Sequence, residues 1–173
     1  MLKQKIYGAT LIELMVVIAI LSGLAVYGVV TYKSYTVKSK FTQVLGTMSQ
    51  YKDDAQAAYT DNDQFPTTFS GLTASTFNSI SSSALSLIYY GRSTDKQSAY
   101  LNFYTTDLGV TNYVAANSGG AGGAYCRVAM ALVSTAAGHM QFYCGQWDGS
   151  STDVPLSYLP KSCQNTNISA LIS

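Results

Sequence analysis

Apolar residues fill positions 9–30 almost without a break, ATLIELMVVIAILSGLAVYGVV. Wound as an α-helix, this run extends about 33 Å, close to the roughly 30 Å hydrocarbon thickness of a bilayer. A short polar leader, MLKQKIYG, stands ahead of it with Lys3 and Lys5. Cations before a span favour keeping that end in the cytoplasm, which places the bulk of the chain on the far side. After Val30 the pattern turns amphipathic. Phe41, Val44, Leu45, Met48, Tyr51, Ala55 and Ala58 recur at three- and four-residue steps, while Lys38, Lys40, Gln43, Gln50 and Asp53 take the opposite face. That is one stripe of a helix. TDND and then Pro66 predict its end near Tyr59. From Ala9 to Tyr59 such a helix would measure roughly 75 Å, more than a single small domain requires.

The remainder reads differently. Residues 60–84 are rich in Ser, Thr, Asn and Gly and predict a surface connection with short turns of helix. Four strand-like stretches follow, at 85–90, 99–105, 125–133 and 139–144. Several alternate apolar and polar positions, as a sheet with one face on a helix should. The expected class is α+β: a long N-terminal helix on a roughly four-stranded antiparallel sheet. NSGGAGG at 117–123 reads as a linker, because it lacks the Lys-Ser/Thr of a phosphate-binding loop.

Composition narrows the function classes. Of the 173 residues 47% are hydrophobic and only 11% charged, against about a quarter charged in ordinary soluble domains. The shortage points to extra buried surface, in a membrane or between subunits. Net charge is +1, and losing Lys3 and Lys5 would leave eight cations against nine anions. Nucleic acid is not an obvious partner at that balance. Lys96, Arg92, Lys161 and Arg127 would make at most a thin DNA site. Cys126, Cys144 and Cys163 form no CxxC or His/Cys spacing, and His139 is the only histidine, so neither a metal nor another cofactor is expected. His139 has no Ser or Cys partner motif, and no enzyme is expected. Asn167-Ile168-Ser169 matches a glycosylation triplet.

Glu13 is the one glutamate in the chain, and it lies inside the apolar run. A charge at the centre of a spanning helix costs roughly 2.5–3.5 kcal/mol, less near its end. A simple one-pass anchor has no use for it. A secretory signal peptide has an apolar core of about 7–15 residues, shorter than this one. Cleavage after Gly8 would free the amine of Ala9, and positions i and i+4 share a helix face. The Glu13 carboxylate could then pair with that amine in its own chain, or with the amine of a neighbouring copy. The second pairing would set axial register, as an isolated polar group does in a coiled coil.

G-ATLIELMVVIAI resembles the leader signal of bacterial type IV pilins, usually Gly-Phe-Thr-Leu-Ile-Glu. TYKSYTVKSKF at 31–41 is similar to the type IVa segment AYQDYTVRSKV, and YTDNDQFPT to its Tyr…Phe-Pro ending. YCGQWDGSSTDVPLSYLPKSC resembles the C-terminal disulfide loop of that family. The resemblance implies a prepilin leader at 1–8, a transmembrane and assembly half-helix at 9–30, and a periplasmic globular domain at 31–173 that includes the amphipathic half 31–59. It implies cleavage between Gly8 and Ala9, N-methylation of Ala9, and Glu13 as the assembly glutamate. It implies a Cys144–Cys163 disulfide, whose closure contributes about 3 kcal/mol on the entropy model. Cys126 is then left over as a buried thiol, and the pairing Cys126–Cys144 stays open on the residues alone.

The implied function is a structural subunit, the major pilin, of a filament for adhesion, twitching motility or DNA uptake. Its partners would be further copies of itself, a prepilin peptidase, the inner-membrane assembly machinery, membrane lipid before assembly, and weakly DNA or a host surface. It would reside in the inner membrane first and at the cell surface afterwards. A minor pilin and a type II secretion pseudopilin are the alternatives, and pseudopilins typically lack the disulfide loop. Ala9 stands where the family usually has Phe, and Val30 where many members have Pro. Ser22, Gly23 and Gly28 would still permit a local bend.

Overall fold

The structure, a computed structural model, describes residues 10–80, 82, 84–106, 126–135, 139–150 and 153–172, leaving aside the side chain of Val30. Residues 1–8, expected to be a leader and ending in Gly8, the neighbouring Ala9, the glycine-rich stretch 117–123 and Ser173 lie outside the described residues. Helix α1 spans Leu11–Asn62. It runs unbroken through Ser22, Gly23 and Gly28. The chain divides into two units, Met1–Thr36 and Val37–Ser173.

In the second unit α1 buries Val37, Phe41, Val44, Met48 and Ala55, with Leu45, Tyr51 and Ala58 half-buried beside them. This is the stripe expected from the three- and four-residue steps, and it packs on one face of an antiparallel sheet. The sheet holds β3 (Thr76–Ser79), β4 (Leu85–Arg92), β5 (Ser98–Thr105), β6 (Arg127–Ser134) and β7 (Met140–Gly145), paired in chain order. Alternation sets which side chains meet the helix. Ile88 and Tyr90 of β4, Leu101 and Phe103 of β5, and Val128, Met130 and Leu132 of β6 are all buried in that core. The Tyr51 and Phe103 rings join helix to sheet at 6.1 Å. Tyr90 donates its hydroxyl to the Pro66 carbonyl, and burial pushes that hydroxyl up to about 12.

Two expectations about the connection 60–84 are corrected. The helix runs to Asn62, past Tyr59, whose hydroxyl is held by Gln97, just before β5, and by Ser134 of β6. Asp63 at φ 53 then stops it in the left-handed conformation. In place of short helical turns there is a hairpin of β1 (Thr68–Phe69) and β2 (Leu72–Thr73). Ser70 and Gly71, at φ 47 and 77, are both left-handed, as the two central residues of a twist-matched hairpin turn must be. The Ser70 hydroxyl bonds Asp54 of α1 at 2.6 Å and ties the turn down. The chain then enters β3, a fifth strand where four were expected. Its pairs Phe77↔Tyr89 and Asn78↔Ile88 lie with a partner strand that sequence periodicity cannot reveal.

The outer sheet face is also covered. Ala129 and Ala131 are small, and Ile168 of the C-terminal tail fills the space over them, with Tyr143, Trp147 and Ile172 around it. The tail gets this close because of Gly145. A Cβ there would stand 2.1 Å from the Asn165 carbonyl oxygen. Gln146 donates to that oxygen and Asn165 donates back to Cys144. The rings of Phe77, Tyr89, Tyr100 and Trp147 continue the cover across β3 to β7, each in contact with the next. Beneath them Asn102 Oδ1 is buried and has no hydrogen-bond partner among the described residues, a local cost of about 1–3 kcal/mol.

Candidate functional site: an exposed apolar helix with one carboxylate

The start of α1 explains part of Glu13. The Thr10 backbone N–H and hydroxyl both donate to Glu13 Oε2, at 2.9 and 3.1 Å. In return the Glu13 N–H donates to the Thr10 hydroxyl at 3.4 Å. Thr-x-x-Glu with reciprocal bonds is a capping box, which satisfies N–H groups that the first helical turn leaves open. The signal was present in the sequence as Thr10-Leu11-Ile12-Glu13. The mid-span cost of a charge hid it, because that argument weighs the lipid and ignores the helix terminus. The box uses one carboxylate oxygen. Oε1 makes no hydrogen bond among the described residues, so it can still accept from an incoming cation.

Large apolar side chains from 11 to 27 are 50% to 76% exposed. Burying each is worth roughly 1.5–3 kcal/mol. A patch of this extent on a monomer marks contact with a membrane or another protein. Leu11–Asn62 is the one helix among the described residues that is long and apolar enough to cross a bilayer. Its hydroxyls suit that environment. Ser22 donates to the Ala19 carbonyl at 2.9 Å and Thr31 to the Tyr27 carbonyl at 3.1 Å, so neither seeks a partner off the helix. Tyr27, Thr31 and Tyr35 fall at four-residue steps. With Gly28 and Tyr32 they line a shallow cleft of about 400 Å³.

At the other end of the chain Cys144 is joined to Cys163. Cys126 is buried and outside the disulfide, so the alternative pairing Cys126–Cys144 is not the one formed. Within the closed loop the carboxylate of Asp153, fully buried, accepts from Arg127 Nε at 2.7 Å and from the Asp148 and Gly149 N–H groups at 3.1 and 2.9 Å. Arg127 Nη2 reaches Asp148 at 2.7 Å and the Ser150 hydroxyl at 3.1 Å. Burial lowers the Arg127 pKa, but the bond and charge of Asp153 more than offset it and leave it above the ordinary value. A guanidinium forked between two carboxylates locks a loop that has little regular structure. Arg92 is likewise occupied, donating to the Phe65 carbonyl at 2.9 Å. Two of the four cations considered for DNA are therefore committed inside the fold.

Opening the disulfide by Cys163→Ser is expected to cost about 3 kcal/mol. Amide hydrogen exchange checks this. Protection at Asn165 and Ile168 should fall first, since their N–H groups bond Cys144 and Gln146, while β5 protection persists.

Glu13 and the disulfide are thus placed by the structure, while Gly8 and Ala9 lie outside the described residues. Comparison with protein-family models and with curated proteins found no match for this chain.

Proposed function

We propose that this chain is the precursor of a type IV pilin, a structural subunit that is clipped after Gly8 and polymerised through its N-terminal helix. The observation that carries the reading is the apolar first half of α1, whose large side chains from 11 to 27 are at least half exposed and whose one carboxylate, Glu13, keeps Oε1 without a hydrogen bond among the described residues. Such a helix is stable in two settings, lipid or a bundle of its own kind. In the membrane-resident monomer, lipid covers it. In the filament, other copies do. The freed and methylated amine of Ala9 in one subunit meets Glu13 Oε1 of the next, which neutralises the charge and sets register. The globular unit stays outside as the filament surface, closed by its disulfide. This role is structural rather than catalytic. It needs a prepilin peptidase and an inner-membrane assembly machine that supplies the work of extraction.

The disulfide loop favours a pilus subunit over a type II secretion pseudopilin, which resembles pilins at the N-terminus and typically lacks the loop. A minor pilin shares all these features and differs in abundance.

Mass spectrometry of sheared surface filaments tests the reading. The expected species begins at N-methylated Ala9 and dominates the preparation. A filament preparation lacking the chain, with the protein recovered as a soluble monomer without its apolar helix, would overturn it. Gly8→Val should leave an uncleaved membrane precursor, larger on a gel by the leader. A subunit of mature size from that variant rules out cleavage at this position.

A further inference from the structure

Glu13 is the one acid of α1 before Asp53. Eighteen positions separate it from Thr31, which at 3.6 residues per turn is about five full turns. The two therefore lie on one line of the unbroken helix, about 27 Å apart. Thr31 is the middle of the cleft that it forms with Tyr27, Gly28, Tyr32 and Tyr35. Val17, Ile20 and Leu24 join Glu13 to that cleft at three- and four-residue steps, each half exposed or more. The run is apolar on every side, so hydrophobicity does not single out this face. Its acid and its cleft do. The rings of the cleft stand uncovered, with Tyr27, Tyr32 and Tyr35 at 76%, 73% and 74% exposed. Gly28 keeps it open, and a Cβ there would meet nothing within 4 Å. Glycine weakens a helix interior, and the packing around Gly28 within this chain gives nothing in return.

We propose that this face of α1 is the seat of a second copy's α1, with Glu13 taking that copy's freed amine and the cleft at 27–35 taking one of its apolar side chains. The inference rests on the polymerisation proposed above and adds to it which face of the helix makes the contact. Small residues let helix backbones approach closely, a use that acyl chains do not have. Tyrosine is enriched at protein interfaces, where its hydroxyl finds polar partners that lipid tails lack. The Thr31 hydroxyl is already held by the Tyr27 carbonyl at 3.1 Å, so the middle of the cleft accepts an apolar side chain without leaving that donor unpaired. Continuity with Glu13 selects a copy of this chain over an unrelated protein, since the same line carries the carboxylate that a copy's amine neutralises. Lipid covers the cleft only until assembly.

Filaments of the full chain carrying p-benzoylphenylalanine in place of Tyr35 test the seat. Irradiation should join two copies, and the linked peptide should lie between Leu11 and Val29 of the second. Linkage to lipid, to the globular unit or to another protein overturns the seat, as does the absence of any link between copies. Gly28→Leu should still enter the membrane, and its ratio of filament to membrane pool should fall at least about tenfold, because the seat is overfilled. Gly28→Ala should lower that ratio by less. Both substitutions strengthen an isolated helix to a similar degree, so a loss graded by side-chain volume reports an occupied cleft. Undiminished filaments from Gly28→Leu, or equal losses in the two variants, overturn the seat and leave the pilin reading in place. Absence of the unaltered chain from filaments overturns that reading first, so the two failures are separable.

Discussion

Glu13→Gln subunits expressed alone are expected to insert into the membrane, fold normally and fail to build filaments. Glutamine still completes a capping box, so the helix start at Thr10 survives the change. What disappears is the negative charge. In the assembled core proposed here the Ala9 amine of a neighbour would then be buried without a counter-charge. Removing one partner of a buried pair costs about 3–5 kcal/mol. At 1.4 kcal/mol per tenfold, the assembly constant falls by roughly two to three and a half orders of magnitude per contact. Sheared-filament yield measures this against the total membrane pool. Glu13→Ala removes the charge together with the side-chain half of the capping box, while the Thr10 hydroxyl still accepts the N–H of position 13, so the difference between the two variants isolates that half of the box. Abundant filaments from Glu13→Gln alone would show that the carboxylate serves the helix terminus and nothing more.

Arg127→Met should destabilise the globular unit by about 3–5 kcal/mol, since it leaves the fully buried Asp153 carboxylate without its cation. Denaturant unfolding followed by Trp147 fluorescence reads the loss, because Trp147 packs beside the affected turn. Adding Asp153→Leu to Arg127→Met should recover part of it, as replacing both members of a buried pair costs less than orphaning one. The same cluster sets an acid limit. Burial pushes the Asp148 carboxyl up, but bonds from Ser150 and the Arg127 charge outweigh it and hold the pKa below the usual aspartate value. A carboxyl lowered by folding stabilises the native state above its unfolded pKa and loses that contribution as pH falls through its folded one. Stability should therefore be flat near neutrality and decline below about pH 4. Arg127→Met should flatten that decline, and an unchanged acid limb in the variant would remove the cluster as its cause.

Legibility differed by element. The buried stripe of α1 was readable because helical periodicity repeats locally, and Phe41, Val44 and Met48 announce themselves by spacing. Strands β4 to β7 were readable within a few residues at their ends. The hairpin at 68–73 was not, since its strands are two residues each. Its signal was the Ser70-Gly71 pair, lost within a generally polar stretch. Strand β3 alternates no better than a loop. It becomes a strand by pairing with β4, a contact that local sequence does not encode. Arg127 looked like a surface cation because its two carboxylate partners lie 21 and 26 residues away.

The sequence by itself determined the apolar helix, its lone acid, the capping motif before it, and the absence of acids between Glu13 and Asp53. These are properties of residue order along one continuous helix. Tertiary structure alone decided which cysteines join, why Gly145 must lack a side chain, and where Arg127 is neutralised. Each of those depends on segments far apart in the chain being brought within a few ångströms. Pattern along a strand or helix records which face is buried, and only packing determines against what.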